Sequence, residues 1–439
     1  MGFGSAILEL NRKSGENENF RSAVLYACTH DTCLDAQIED SRVDYLYEAV
    51  GLVGNKDYFL KAIIKRMETT DNHRLISQLC GLLYMFWKDG FNEAGAALRN
   101  KFSDYLSRIS RIKKMDAKRL PADTLTILVM WLCDMYGVKE FFSCAESIGL
   151  EMVKRQDSKI VTLIWLIPCM EEKFGKTFMR MFEREAKKSL GIRRLLEAWQ
   201  REKEDSNRSG SIEQEIDANN IISLATSNAR FKYAKLTGIG RMLEKKDVAG
   251  LRLQLADFIN SEIDEETKTA LMYVFHQCDY PYPLEELLEL YETAGSKLKS
   301  KILSALCRFK DARLRELAVC NLNNGLFVCE SLMLLYKYFD NDYDLVSQAQ
   351  KLSKKAGIHE YHEVSMAIRD LLKTRKSALA QKILLYDYHN NRCSFCRNHT
   401  VEIMCKNRII PGDILEECLY DCVWDTRQLA KKYKARKKE

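Results

Sequence analysis

The chain has 439 residues, of which 46% are hydrophobic, and its 68 basic and 62 acidic side chains give a net charge of +6. This composition excludes a disordered chain, and the small charge excess does not by itself demand a nucleic-acid partner. Only 5 residues are proline and 20 are glycine, whereas many-stranded sandwiches and barrels need both in their turns. The sequence therefore predicts an all-α fold.

No segment predicts secretion or membrane insertion. The first residues lack a charged region followed by a long apolar core. The longest apolar run, residues 160–170, is too short to cross a bilayer and contains Pro168. The 15 cysteines, many on apolar helix faces, are expected to be reduced and buried. We therefore predict a cytoplasmic protein with no membrane partner.

Apolar residues recur with helical spacing along the chain. Asp71 and Asn72 can cap a helix, Asn92 can cap the next, and Gly137 is the predicted end of a third. Roughly two dozen segments of about 10–17 residues follow this pattern, close to the normal helix length. The clearest apolar stripe, on the helix after Asn72, consists of Leu75, Leu79, Leu82, Leu83 and Phe86.

A polar stretch at residues 203–211 interrupts the helical pattern. It reads Lys-Glu-Asp-Ser-Asn-Arg-Ser-Gly-Ser and contains no apolar residue. This composition predicts an N-terminal helical domain over 1–203 and a linker or long interhelical loop over 204–211. A C-terminal helical domain over 212–439 then ends in a basic tail.

A segment of the second half resembles the second helix of HEAT repeats. That signature is an Asp, an aliphatic residue followed by Arg, a small residue one turn later, and a second aliphatic residue. Looser copies occupy residues 247–256 and 425–430. The matching residues are Asp311, Leu314, Arg315, Ala318 and Leu322.

This likeness implies an α-solenoid of antiparallel helix pairs, of the HEAT or armadillo type and elongated or curved. The overall pattern is similar to bacterial HEAT-repeat proteins of undefined role. The resemblance implies a fold and no reaction. It does imply a concave binding surface, which solenoids provide for their partners.

A cluster of cysteine and histidine lies near the C-terminus. Cys393, Cys396, His399 and Cys405 follow the spacing C-x2-C-x2-H-x5-C, and Cys418 with Cys422 could replace the second pair. Zinc needs four such ligands, of which a CxxC turn supplies two. A helix starting near Cys396 would also bury the thiols without a metal. Buried thiols are the predicted interpretation, structural zinc is the alternative, and no other cofactor is expected.

Catalytic motifs are missing from the sequence. His359 and His362 lie in His-Glu-Tyr-His-Glu, one residue shorter than the HExxH zinc-protease motif, and a solvated polar face is the predicted interpretation. No Gly-rich phosphate loop, GxSxG or kinase set occurs. A redox role for the CxxC is disfavoured because no βαβ unit surrounds it. The sequence identifies no catalytic residue and favours a non-enzymatic protein.

A basic run with interleaved Phe231 and Tyr233 suggests a second kind of partner. On a concave face such residues could follow a phosphate backbone, although solvated helix faces also carry Lys and Arg. We expect a scaffold that binds a protein partner on a concave face. The alternative is a nucleic-acid-binding protein similar to the HEAT-like alkylated-base DNA glycosylases. The basic residues are Arg230, Lys232, Lys235, Arg241, Lys245 and Lys246.

Overall fold

The computed structural model describes residues 3–12, 20–33, 42–111, 122–155, 161–210, 217–229, 231–246 and 250–436. Over these ranges the fold is 80% helical and contains no strand, which confirms the predicted all-α class. No helix among them is long and apolar enough to span a bilayer. A 3-10 turn, Tyr336–Tyr338, follows the helix Val328–Leu335.

The described α-helices are α1 Gly4–Arg12, α2 Arg21–Thr29, α3 Val43–Val53, α4 Lys56–Thr69, α5 His73–Lys88, α6 Asn92–Ser110, α7 Ala122–Tyr136, α8 Val138–Arg155, α9 Leu163–Phe174, α10 Phe178–Ala186, α11 Leu190–Gly210, α12 Ala218–Thr226, α13 Lys232–Lys245, α14 Leu251–Asn260, α15 Glu265–Phe275, α16 Leu284–Thr293, α17 Ser296–Leu306, α18 Arg313–Asn323, α19 Val328–Leu335, α20 Tyr343–Ala356, α21 Ile358–Leu372, α22 Ala378–Asn390, α23 Ser394–Lys406, α24 Gly412–Cys418 and α25 Trp424–Arg436.

The chain divides into two compact units. The first contains Met1–Ser211 together with Gly412–Glu439, and the second contains Ile212–Pro411. The final segment, assigned from sequence to the C-terminal domain, therefore packs with the first unit. There the guanidinium of Arg427 lies 3.0 Å from the carboxylate of Glu48. Local periodicity carries no information about such a distant pairing.

The predicted linker over 204–211 is helical up to Gly210 and forms the last turns of α11. The ammonium group of Lys203 lies over the ring of Trp199 one turn earlier, 5.1 Å from its centroid. Lys and Glu have high helix propensities, so a polar composition alone does not end a helix. Residue 211 lies outside the described ranges.

Side chains and glycines set several helix boundaries. Asn72 Oδ1 accepts hydrogen bonds from the backbone N–H groups of Arg74 and Leu75, as a cap should, and the predicted stripe behind it is buried. Gly137 follows α7 with φ +79°, which matches its predicted role as a helix end. Asn92, predicted as a cap, is instead the first residue of α6.

Replacing Asn72 with alanine is expected to lower the free energy of unfolding by about 1 kcal/mol, because two N–H groups of α5 lose their acceptor. The measurement is the urea midpoint, followed by circular dichroism. Asn72→Asp is the control, since an aspartate keeps the acceptor and should leave the midpoint nearly unchanged. Equal midpoints for the alanine variant and the parent protein would contradict the capping role.

In the second unit, alternate helices pack directly on one another. Each of α13, α15, α17, α19 and α21 packs on the next odd-numbered helix, and each also contacts an even-numbered neighbour. Ser300 of α17 hydrogen-bonds Glu330 of α19, 30 residues later. Cys329 of α19 then contacts the carbonyl of Glu363 in α21, 34 residues later.

The helices α21 and α23 run in the same direction. His362 near the start of α21 contacts Cys396 near the start of α23. At the other end, Asn407 donates a hydrogen bond to the carbonyl of Lys373 at 3.2 Å. Parallel neighbours in register place equivalent positions of the two helices side by side.

Candidate functional sites

The two cysteines of the CxxC sequence form a tight turn at the start of α23. Cys393 is the N-cap residue, and its Sγ accepts a hydrogen bond from the N–H of Cys396 at 3.5 Å. The N–H of Cys393 donates a hydrogen bond to Asn391 Oδ1 at 3.0 Å. Both thiols are buried. The turn therefore brings two sulfur atoms close together.

A histidine from the neighbouring helix completes a three-residue cluster. Nδ1 of His362 lies 3.5 Å from Sγ of Cys396. The ligand atoms of His362, Cys393 and Cys396 all lie within 4.8 Å of one another. His362 is half-buried, so the cluster reaches the protein surface through its imidazole. Among the residues that the structure describes, this is the one such group of three metal-ligating side chains.

The surroundings of the cluster favour a thiolate. The hydrogen bond with Cys393 lowers the pKa of the Cys396 thiol to about 6, burial opposes this shift, and the charges of Arg369 and His362 support it. Arg369 is itself buried, and Nη1 donates to the carbonyl of Cys396 at 2.9 Å. The thiolate is the form of cysteine that binds metals and attacks electrophiles.

A buried polar network holds the three surrounding helices together. Asp387 of α22 accepts hydrogen bonds from Thr400 Oγ1 at 2.6 Å and from Asn391 Nδ2 at 3.4 Å. Asn391 Nδ2 also donates to Ser365 Oγ of α21 at 2.7 Å. Because Asn391 also binds the N–H of Cys393, this network fixes the CxxC turn against α21.

The residues predicted as metal ligands are only partly brought together. Cys393 and Cys396 meet, but His399 lies near Glu402 at 3.4 Å, and its ring packs on Phe395 with centroids 4.5 Å apart. Cys405 is buried farther along α23.

His362, interpreted from sequence as part of a solvated face, joins the cysteines in place of His399 and Cys405. No local sequence pattern predicts this contact. Its separation of 34 residues, shared with the contact between Cys329 and Glu363, is visible only once the helices are packed.

The predicted basic run does not present an unbroken charged surface. Lys232 is buried, and its Nζ donates to the carbonyl of Ala225 at 3.3 Å and lies 3.6 Å from Glu266. Arg241 Nε donates to Gln277 at 3.4 Å, and Arg230 lies outside the described residues. The exposed members among the described residues are Lys235, Arg241, Lys245 and Lys246.

A row of accessible side chains follows α19, α21 and α23. Each helix contributes two residues four positions apart, which places both on one side of the helix. The apolar members are well exposed: Met333 is 45%, Met366 43% and Phe395 41% accessible. We call this surface the α19–α21–α23 face, and its residues are Cys329, Met333, His362, Met366, Phe395 and His399.

No protein-family model matches this chain, and comparisons with curated proteins and with solved structures find no significant similarity.

Proposed function

We propose that the protein is a non-enzymatic helical-repeat scaffold whose α19–α21–α23 face binds a segment of another protein. The observation that carries this proposal is the exposure of Met333, Met366 and Phe395 on three successively packed helices. Contiguous exposed apolar surface marks interaction sites on folded proteins. Methionine suits such a surface because its flexible thioether adapts to the partner.

The HEAT-like segment supports a repeat architecture. Leu314, Ala318 and Leu322 are buried, as the signature requires. Arg315 lies 2.6 Å from Asp342, an ion pair between the helix α18 and the start of α20. A ladder of such pairs between neighbouring repeats is what the resemblance implies.

Regular separations along the chain between residues that contact each other across helices support the same architecture. In the first unit, Arg108 binds Asp71 at a separation of 37 residues, and Arg99 binds Glu140 at 41. These values approach the HEAT and armadillo period of about 40–47 residues. Contacts in the second unit occur at shorter separations, for example 27 residues between Arg315 and Asp342 and 34 between Cys329 and Glu363. We propose that each unit is a stack of helix pairs, with the shorter repeats in the second.

The charge of the face indicates the chemistry of the partner. Glu363 and Asp370 are exposed on α21, on either side of Met366 along the helix. A segment carrying both apolar and basic side chains complements this surface, because opposite charges steer the encounter and fix the register.

Nucleic acid is the competing partner. It is favoured by Phe231, which is 66% exposed beside the basic helix α13. An exposed aromatic ring next to cations is a feature of surfaces that bind single strands. This binding would weaken steeply with salt and would depend on Lys235 and Lys245 rather than on α21.

Met366→Glu is expected to weaken capture of the protein partner about tenfold or more, since a central apolar contact becomes a charge beside two carboxylates. The measurement compares quantitative enrichment from native extract by the parent protein and by each variant. Leu379→Glu is the matched control, because Leu379 is 52% exposed on α22, outside the face.

Partners retained by the parent and by Leu379→Glu but lost with Met366→Glu support the proposal. Identical sets for both variants would refute it. Enrichment that nuclease removes, and that a Lys235→Glu and Lys245→Glu double variant abolishes, would favour nucleic acid instead.

A further inference from the structure

We propose that His362, Cys393 and Cys396 form a zinc-binding site that ties α21 to the start of α23. The ligand atoms are Nδ1 of His362 and the two Sγ atoms. The site shares His362 with the α19–α21–α23 face, but it does not rest on the proposed partner-binding function, because all three ligands belong to this chain. It takes a soft divalent cation and leaves one coordination position for water.

The geometry of the cluster is close to that of a zinc site. Zinc binds sulfur at about 2.3 Å and imidazole nitrogen at about 2.0–2.1 Å in a tetrahedron, so neighbouring ligand atoms lie roughly 3.5–3.8 Å apart. The Cys396 Sγ to His362 Nδ1 distance of 3.5 Å already equals one edge of that tetrahedron. The remaining pairs lie within 4.8 Å, so small side-chain rotations close the site.

The chemistry of the donors selects the metal. Two thiolates and an imidazole favour zinc over magnesium or calcium, which prefer oxygen ligands. The CxxC turn supplies two ligands from one short loop, as zinc knuckles do. The remaining ligand comes from another helix, and a site of this kind therefore stabilises the packing of the two helices.

A second layer of contacts already orients the ligands. Asn391 Oδ1 accepts a hydrogen bond from the N–H of Cys393, and Arg369 Nη1 donates one to the carbonyl of Cys396 at 2.9 Å. Such supporting hydrogen bonds are typical of metal centres, where they fix ligand orientation before the ion arrives. The half-buried His362 gives the ion a path from solvent.

The test uses the full chain, purified under reducing conditions without chelators and titrated with Zn²⁺ against a chromophoric chelator. We expect one zinc ion per chain, with affinity at least about tenfold lower in Cys393→Ser, Cys396→Ser and His362→Gln. The matched controls Cys405→Ser and His399→Gln are expected to bind zinc as the parent does. Zinc should also raise the melting temperature of the parent and of both controls, but not of the three ligand variants.

Three results would overturn the proposal. The first is the absence of stoichiometric zinc in correctly folded, reduced protein. The second is undiminished affinity in the Cys393→Ser and Cys396→Ser variants, which would place the metal elsewhere among the 15 cysteines. The third is dependence on His399 and Cys405 rather than on His362. Because His362 is half-buried, its glutamine variant is expected to fold and so remains informative if a cysteine variant does not.

Discussion

Replacing Phe178 with alanine should lower the free energy of unfolding of the first unit by about 3–5 kcal/mol. Phe178 is fully buried at the start of α10, and its ring centroid lies 5.1 Å from that of Phe141 and 5.9 Å from that of Phe182. Removing the ring loses its burial and leaves a cavity in a cluster of stiff aromatic side chains that cannot collapse to fill it.

The free energy of unfolding of Phe178→Ala and of the parent protein is measured from urea unfolding followed by circular dichroism. Leu190→Ala is the control, because Leu190 is 57% exposed in the same unit and its truncation should cost little. If Phe178→Ala lowers the free energy of unfolding by less than about 1 kcal/mol, similar to the control, the aromatic cluster does not hold α8 and α10 together.

The second large effect is expected for Asp387→Ala, which should lower the free energy of unfolding of the second unit by about 1–3 kcal/mol. The carboxylate is fully buried and accepts hydrogen bonds from Thr400 and Asn391, so its removal leaves buried donors with fewer acceptors. Because Asn391 also orients Cys393, zinc affinity is expected to fall as well, by about 10-fold or more.

The measurement pairs urea unfolding with the zinc titration of the same protein. Asp387→Asn is the conservative control, since its amide oxygen can still accept from Thr400 and should retain more of both properties. Loss of stability in Asp387→Ala with zinc affinity fully retained would show that the network supports packing without orienting the cysteines.

Much of the fold follows from local sequence patterns. The stripe from Leu75 to Phe86 is buried because its spacing puts every member on one side of α5, and Asn72 caps that helix as its side-chain chemistry requires. Gly137 ends α7 because its positive φ suits glycine. These features depend only on neighbours along the chain.

Features that depend on pairing between distant segments were not accessible from the sequence. Arg427 meets Glu48 across 379 residues, and no spacing rule predicts that contact. His362 reaches Cys396 because α21 and α23 pack in parallel register, whereas His399, nearer in sequence, lies one turn too far along the same helix as Cys396. Lys232 lies in a basic run yet is buried, because its amine donates a hydrogen bond to the carbonyl of Ala225 near the end of α12.

The most direct test of the proposed binding surface is site-specific photo-crosslinking. A benzoylphenylalanine in place of Met366 and, separately, of Leu379 would be irradiated in native extract, and the adducts would be identified by mass spectrometry. The proposal predicts a protein adduct from position 366 that position 379 does not form, with crosslinked peptides rich in apolar and basic residues. Equal adducts from both positions, or none from position 366, would contradict it.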